Sequence, residues 1–301
     1  MPSIQAQSIA SDWKVRDLSR LLKPKTEPLV YGESMTAGRT FRLLSIHPAL
    51  DQYEQLACSC HPYKIDKAPP YEALSYVWGD PKPAIEVLCN GQTVVVQSEL
   101  ANALLQLRLR DTPRLIWADA ICINQNDVPE RNHQVLLMGS IYSLASRVVV
   151  WLGAENSQFA EAAFGCVEFI AEAVLQYDRD RDLPHNHKDQ YRETWDALRL
   201  PEDVFTPAVC KSLERLYIRP WLSRIWCVQE IHLAQDATVV WGEFETSWEE
   251  VALTASWIFD RTIVGRHDVA LLGNIRVSKA DTMRDRHKNS LLRVLRDYRR
   301  F

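Results

Sequence analysis

The sequence predicts an α/β fold, with a mostly parallel sheet flanked by helices on both faces. Three observations carry that prediction. Strand-like apolar runs alternate with helix-period segments between residues 71 and 153. The run "RVVVWLG" (147–153) is hydrophobic throughout, as a central strand covered on both faces must be. Asn90-Gly91, the favoured two-residue turn, splits "AIEVLCNGQTVVVQ" (84–97) into a hairpin.

The elements follow in order. Residues 1–40 read as an N-terminal extension that forms no core, with a short helix near Trp13 to Leu22. "FRLLSIHP" (41–48) and "YEALSYVW" (71–78) read as strands, the second ended by Gly79-Asp80-Pro81. Ser98 is expected to cap a helix reaching about Arg110, with Leu100, Leu104, Leu105 and Leu107 on its buried side. "LIWADA" (115–120) is a short strand ending near Asp119, followed by the polar loop "ICINQNDVPE". Pro129 suits the first turn of a helix running to about Ala145, whose apolar side is Val135, Met138, Ile141, Tyr142 and Ala145. Beyond Gly153 come a helix from Ser157 to about Tyr177, a polar loop "DRDRDLPHNHKDQ", and a helix from Val204 to Ile218. Residues of about 154–215 read as a helical insertion. A helix from about Ser223 to Ala234, the strand "ATVVWG" (237–242) and a helix capped at Thr246 follow. A basic helical tail to Phe301 lacks a stop signal, which reads as truncation.

Composition narrows the function classes. At 301 residues and 47% hydrophobic content the chain can build a sizeable core. A net charge of -4 gives no basic excess for nucleic acid. No apolar stretch approaches the roughly 18 residues of a membrane span. Seven scattered cysteines and no leader-like apolar run fit a reducing cytoplasmic setting. The ten tryptophans, with Trp78, Trp117, Trp151, Trp221, Trp226 and Trp241 beside apolar runs, read first as core filling.

Standard nucleotide cradles are absent, since the chain has neither GxGxxG nor GxxxxGK[ST]. Cys58, Cys60 and His61 cluster without the paired CxxC spacing of structural zinc, so they read as exposed loop residues and no metal is expected. His185 and His187 read as solvated. Cys122 and Cys227 read as buried thiols rather than nucleophiles.

Three segments carry a family resemblance. "YEALSYVWGD", "LIWADAICINQNDVPERNHQVLLMGSIYSLASRVVVWLG" and "RPWLSRIWCVQEIHLAQDATVVWG" resemble, in order and wording, the signature blocks of the fungal heterokaryon-incompatibility (HET) domain. The resemblance covers residues 41–301, with the stretch 154–215 as its variable part. It implies a role in the cell death that follows fusion of genetically different hyphae, as a domain acting under an upstream receptor or partner.

A second resemblance is to TIR domains, which implies a TIR-like, flavodoxin-like architecture with N-terminal strand and hairpin decoration. Ser75-Tyr76 with Asp80, then Asp119, the run Val148 to Val150, and Ser223 with Trp226, Cys227 and Glu230 follow the TIR order. Two departures stand out: one extra residue separates Ser223 from Trp226, and TIR domains have a short connection where this chain has its insertion. In catalytic TIR domains the glutamate matching Glu230 serves cleavage of the nicotinamide bond of NAD. The resemblance therefore implies an NAD glycohydrolase, with NAD as substrate rather than cofactor, active when self-associated. The class rival is a non-enzymatic signalling and oligomerisation module.

Glu230 accordingly has two readings. As a catalytic carboxylate it would stabilise an oxocarbenium-like ribosyl cation, with Trp226 one turn earlier able to stack on a flat ring. As a structural group it would pair with Arg219 or Arg224. Ser75, Trp78, Asp80, Asp119, Asn124 and Gln125 are the remaining ligand-binding candidates, since open α/β sheets place sites at the carboxyl ends of strands. Asn124 and Gln125 have a second reading as turn and cap residues, and Asp119 as the group that fixes its loop.

Overall fold

The computed structural model describes residues 26–51, 54–180, 200–201, 204–224 and 226–263. Among them the strands are β1 (Thr40–Ile46), β2 (Ala57–Lys64), β3 (Glu72–Tyr76), β4 (Ala84–Cys89), β5 (Gln92–Gln97), β6 (Arg114–Trp117), β7 (Arg147–Trp151), β8 (Ala237–Trp241) and β9 (Phe244–Ser247). The helices are α1 (Ser98–Leu107), α2 (Asp119–Cys122), α3 (Val128–Leu144), α4 (Ala160–Asp180), α5 (Pro207–Tyr217), α6 (Trp226–Leu233) and α7 (Trp248–Ile263).

The strands form one sheet in the order β5-β4-β2-β1-β6-β3-β7-β8-β9. At its centre β6, β3, β7 and β8 run parallel. Numbered among themselves, these four follow the spatial order 2-1-3-4, so the crossover direction reverses between β3 and β7. Four of the five residues in both β3 and β7 are buried in succession, which requires cover on both faces. The antiparallel pairs β1-β2, β4-β5 and β8-β9 extend the sheet outward.

A charge clamp at the amino end of β3 sets the register of the centre. Glu72 accepts from Arg114 of β6 and from Arg147 of β7, spanning three adjacent strands. Burial alone would raise the Glu72 carboxyl, but the two guanidinium groups outweigh it and hold it below its ordinary value.

Around the sheet, α4 packs against α5 and α7, and α3 against α6. Gly139 of α3 admits the close approach of α6, because a Cβ there would stand 3.3 Å from Gln229 Nε2. Val167, Ile170, Ala171 and Val174 of α4 are buried, so this part of the 154–215 segment belongs to the core. Trp117, Trp151, Trp221 and Trp241 are buried as core filling, whereas Trp78 is 36% exposed.

Several expectations are corrected. The Cys58-Cys60-His61 cluster is not a loop but strand β2, paired antiparallel with β1, and both thiols are buried while His61 is exposed. Ser98 does not cap: β5 runs straight into α1, so Ser98 is already helical. Thr246 lies in β9, and the cap of α7 is one residue later. There Ser247 Oγ accepts from Glu250 N (3.2 Å) and Glu250 Oε2 from Ser247 N (3.1 Å), a reciprocal capping box. The helix expected from Ser223 begins at Trp226, after a 3-10 turn over Pro220–Ser223. The helix near Trp13 to Leu22, most of the polar loop and the basic tail lie outside the described residues.

The apolar side expected of α3 faces inward at Met138, Ile141, Tyr142 and Ala145, but not at Val135, and two polar residues join it. Glu130, Gln134, Leu137, Ile141 and Tyr142 are buried, while Val135 is exposed. The two polar residues face inward because they bind the segment preceding β1. Glu130 takes Arg42 Nη1 (2.5 Å) and Nη2 (3.1 Å) together with Met35 N (3.0 Å), and Gln134 donates to Thr40 O (2.9 Å). Residues 26–40 are thus docked rather than extended away, and Glu27 and Leu29 bond the backbone of Thr93 on β5.

Both partners of the Arg42–Glu130 pair are essentially enclosed. Arg42→Met strands a buried carboxylate and should lower unfolding free energy by about 3–5 kcal/mol. Urea denaturation measures this, and an unchanged midpoint would contradict the assigned role.

Candidate functional site

The carboxyl end of β3 gathers the polar side chains of the central sheet. Ser75 is the penultimate residue of β3 and pairs across to Val150 of β7. Its hydroxyl donates to Glu230 Oε2 and accepts from Trp221 Nε1 at 2.7 Å. Trp221 is delivered by the 3-10 turn at Pro220, and Glu230 by the middle of α6. Sequence-distant elements therefore meet at one hydroxyl. Arg224 donates to the backbone carbonyl of Tyr76, bringing a guanidinium to the same strand end.

Glu230 is 4% exposed. Burial drives its carboxyl up from 4.5 to about 7, against the opposing influence of the Ser75 hydrogen bond and the Arg224 charge, while the neighbouring Asp119 charge adds to the rise. Asp119 is itself raised by burial, although Trp78, Tyr76, Ala120 N and Arg224 each favour its ionised form. Two acids with elevated affinity for protons thus share one strand-end region and one guanidinium. Such perturbed carboxyls mark candidate functional sites.

The other sequence candidates divide clearly. Trp78 Nε1 donates to Asp119 Oδ2 (2.9 Å), joining the loop after β3 to the loop after β6. Gln125 Nε2 donates to Asp119 O (2.9 Å), and Asp119 Oδ1 accepts from Ala120 N (2.8 Å), so Asp119 and Gln125 organise their own loop. Asn124 Oδ1 accepts from Asn126 N (3.2 Å), a turn contact. Asp80 is exposed and accepts from Lys82 N (2.9 Å), closing its own turn. The side chain of Trp226 lies outside the described residues. Arg219 turns away from Glu230, donating to Glu155 O with its guanidinium 4.4 Å from the Trp241 ring centroid.

Trp221 was not among the site candidates, and Arg224 was named only as a pairing partner for Glu230, whose carboxyl its charge does influence. Trp221 sits in an apolar run and reads as core, which it is; its role here rests on the indole N–H, whose partner no periodicity reveals. Among the described residues no group of three or more His, Cys, Asp or Glu side chains could hold a metal ion. No described helix is long and apolar enough to cross a membrane.

The Glu230 environment predicts a pH signature. Between 4.5 and about 7 the folded chain holds a proton that the unfolded chain has released. Stability from this group is therefore complete below 4.5 and lost as pH rises through about 7, a change of about 3 kcal/mol. Glu230→Gln keeps an acceptor for Ser75 without the titration. Relative to wild type it should gain stability progressively from pH 5 to pH 8, whereas parallel denaturation curves at both pH values would refute the assignment.

Comparison with known proteins places these residues in a family. The model described as "Heterokaryon incompatibility protein (HET)" matches residues 71–230, from the residue before β3 to Glu230 itself. Heterokaryon incompatibility protein 6, OR allele, from Neurospora crassa is 30% identical over 223 residues, covering 67% of this chain and 33% of that protein. The match thus spans about a third of the relative's length. No solved structure matches the chain. With more than half of its residues under the family model and with this relative, the chain belongs to the heterokaryon-incompatibility (HET) family.

Proposed function

We propose that the chain is the effector portion of a fungal heterokaryon-incompatibility protein that promotes cell death, and that it hydrolyses NAD or a related nucleotide through Glu230 when copies associate. The role in incompatibility is supported by family membership and by the name of the Neurospora relative. The observation that carries the enzymatic reading is Glu230, a buried carboxyl raised to about 7 where β3 ends beside the strand-order reversal. The TIR resemblance supports the same choice of residue and implies activation by self-association. Consumption of NAD after hyphal fusion would take place in the cytoplasm, under an upstream receptor or partner.

The chemistry suits one carboxylate. Cleavage breaks the C1′–N1 bond of NAD, and the electron pair leaves with the ring nitrogen, so nicotinamide departs neutral and needs no general acid. The remaining ribosyl cation gains stability from a nearby negative charge as it develops. Water then adds at C1′ and loses a proton, giving ADP-ribose. The Ser75–Trp221 chain would orient the Glu230 oxygen for this role.

A second reading has its own support. Glu230 is almost fully enclosed, and its bond to Ser75 ties α6 to β3, as a strut in a non-enzymatic signalling and oligomerisation module would.

Turnover distinguishes the two. Wild-type protein fused to an oligomerising tag should release nicotinamide from NAD, with activity rising with pH through about 7 as Glu230 ionises. Glu230→Gln should remain folded and lose about 10²-fold or more in rate. Clustered wild type that releases no nicotinamide, or a variant as active as wild type, would leave the non-enzymatic module.

A further inference from the structure

A cavity of about 140 Å³ opens where β3 and β7 end, in the crevice formed by the reversal of strand order. Its lining includes Gly79, Glu99, Trp151, Gly153, Arg219 and Trp221. The backbone is shaped around one carboxylate. Gly79 and Gly153 have φ of +76° and +102°, and a Cβ on them would stand 3.0 Å from Glu99 Cγ and 3.3 Å from Glu99 Oε2. Two glycines thus make room for a side chain that α1 projects from its first turn.

Glu99 receives one hydrogen bond, from Trp151 Nε1 at 3.1 Å, and among the described residues no cation comes within ion-pairing distance of it. Burial raises its carboxyl and the charge of Glu155, a second acid on the cavity wall, adds to the rise, against the Trp151 bond and the Arg219 charge. Arg219, also on the cavity wall, spends one terminal nitrogen on Glu155 O, and the other terminal nitrogen has no partner among the described residues; its Nε is enclosed and out of reach of the cavity. The cavity therefore presents an acceptor with capacity to spare beside a guanidinium with one terminal nitrogen unspent. A purely apolar ligand leaves both unsatisfied, and a bare anion faces two carboxylates, Glu99 and Glu155. A hydroxyl can donate to the first and accept from the second. The volume is close to the roughly 150 Å³ of a cavity that holds one six-membered ring.

We propose that this cavity is a pentose subsite, taking one hydroxylated ring whose hydroxyls donate to Glu99 and accept from Arg219. Trp221 borders both this cavity and the Glu230 region, since its Nε1 donates to Ser75, which in turn donates to Glu230. The choice of a ribose-bearing nucleotide rests on the NAD reading above, whereas the acceptor–donor pair and the cavity size do not depend on it.

ADP-ribose, a ligand that requires no turnover, tests the proposal by calorimetric titration of the full chain. Wild type should bind it, and Glu99→Gln and Arg219→Met should each weaken binding at least tenfold with the melting temperature within a few degrees of wild type. If loss of the Trp241 contact unfolds Arg219→Met, Arg219→Lys keeps a cation over that ring, lacks the guanidinium's second terminal nitrogen and should show the same loss. Absence of binding to wild type, or binding indifferent to Glu99→Gln, overturns the subsite. The two readings fail separately. Glu99-dependent ADP-ribose binding without NAD cleavage keeps the subsite and removes the catalytic assignment, and NAD cleavage with a KM unchanged in Glu99→Gln does the reverse.

Discussion

Strand β3 is held at both ends by carboxylates, and the remainder of the domain is organised by how differently the two are treated. At its amino end Glu72 meets two arginines, which lock β6 and β7 to either side and keep the carboxyl ionised. At its carboxyl end Glu230 meets a hydroxyl, with a guanidinium near enough to matter but not to prevail against burial. The first arrangement minimises the electrostatic cost of a half-buried charge. The second retains that cost, and natural folds keep such costs where geometry alone does not explain them.

The parts of the fold legible in the sequence were those whose burial pattern is undiluted. β3 and β7 are apolar along most of their length because both faces are covered, and Asn90-Gly91 marks its hairpin unaided. β2 escaped because Cys, Ser, His and Pro have weak strand character, and its pairing with β1 is a long-range choice. β9 escaped because its four residues run directly into a capped helix and share its Ser-Thr chemistry. On α3 the apolar period found the inward side at Ile141, Tyr142 and Ala145 but missed Glu130 and Gln134, which are spent on binding Met35, Thr40 and Arg42.

The site was legible only in part, for a related reason. Residue type and order singled out Ser75 and Glu230, and the fold brings them into contact. Asp80 and Asn124 share the right location along the chain, but local turns consume their oxygens. Trp221 and Glu99 were hidden because their contributions depend on a single N–H or carboxylate direction, and Arg219 and Arg224, expected as partners of Glu230, donate to the Glu155 and Tyr76 carbonyls. Glu99 in particular follows a serine that mimics a helix cap, so its neighbour drew the local explanation away from it.

Ser75 and Glu230 lie 155 positions apart, and synthesis delivers the amino-terminal part first. A growing polypeptide can assemble β3 with its neighbours well before α6 exists, so every incomplete product lacks the carboxylate altogether. Ribosomes that stall or chains that are cut short upstream of α6 yield fragments with the hydroxyl and no acid beside it. On the proposed reading, in which this acid carries the harmful activity, the order of elements along the chain keeps incomplete products without it.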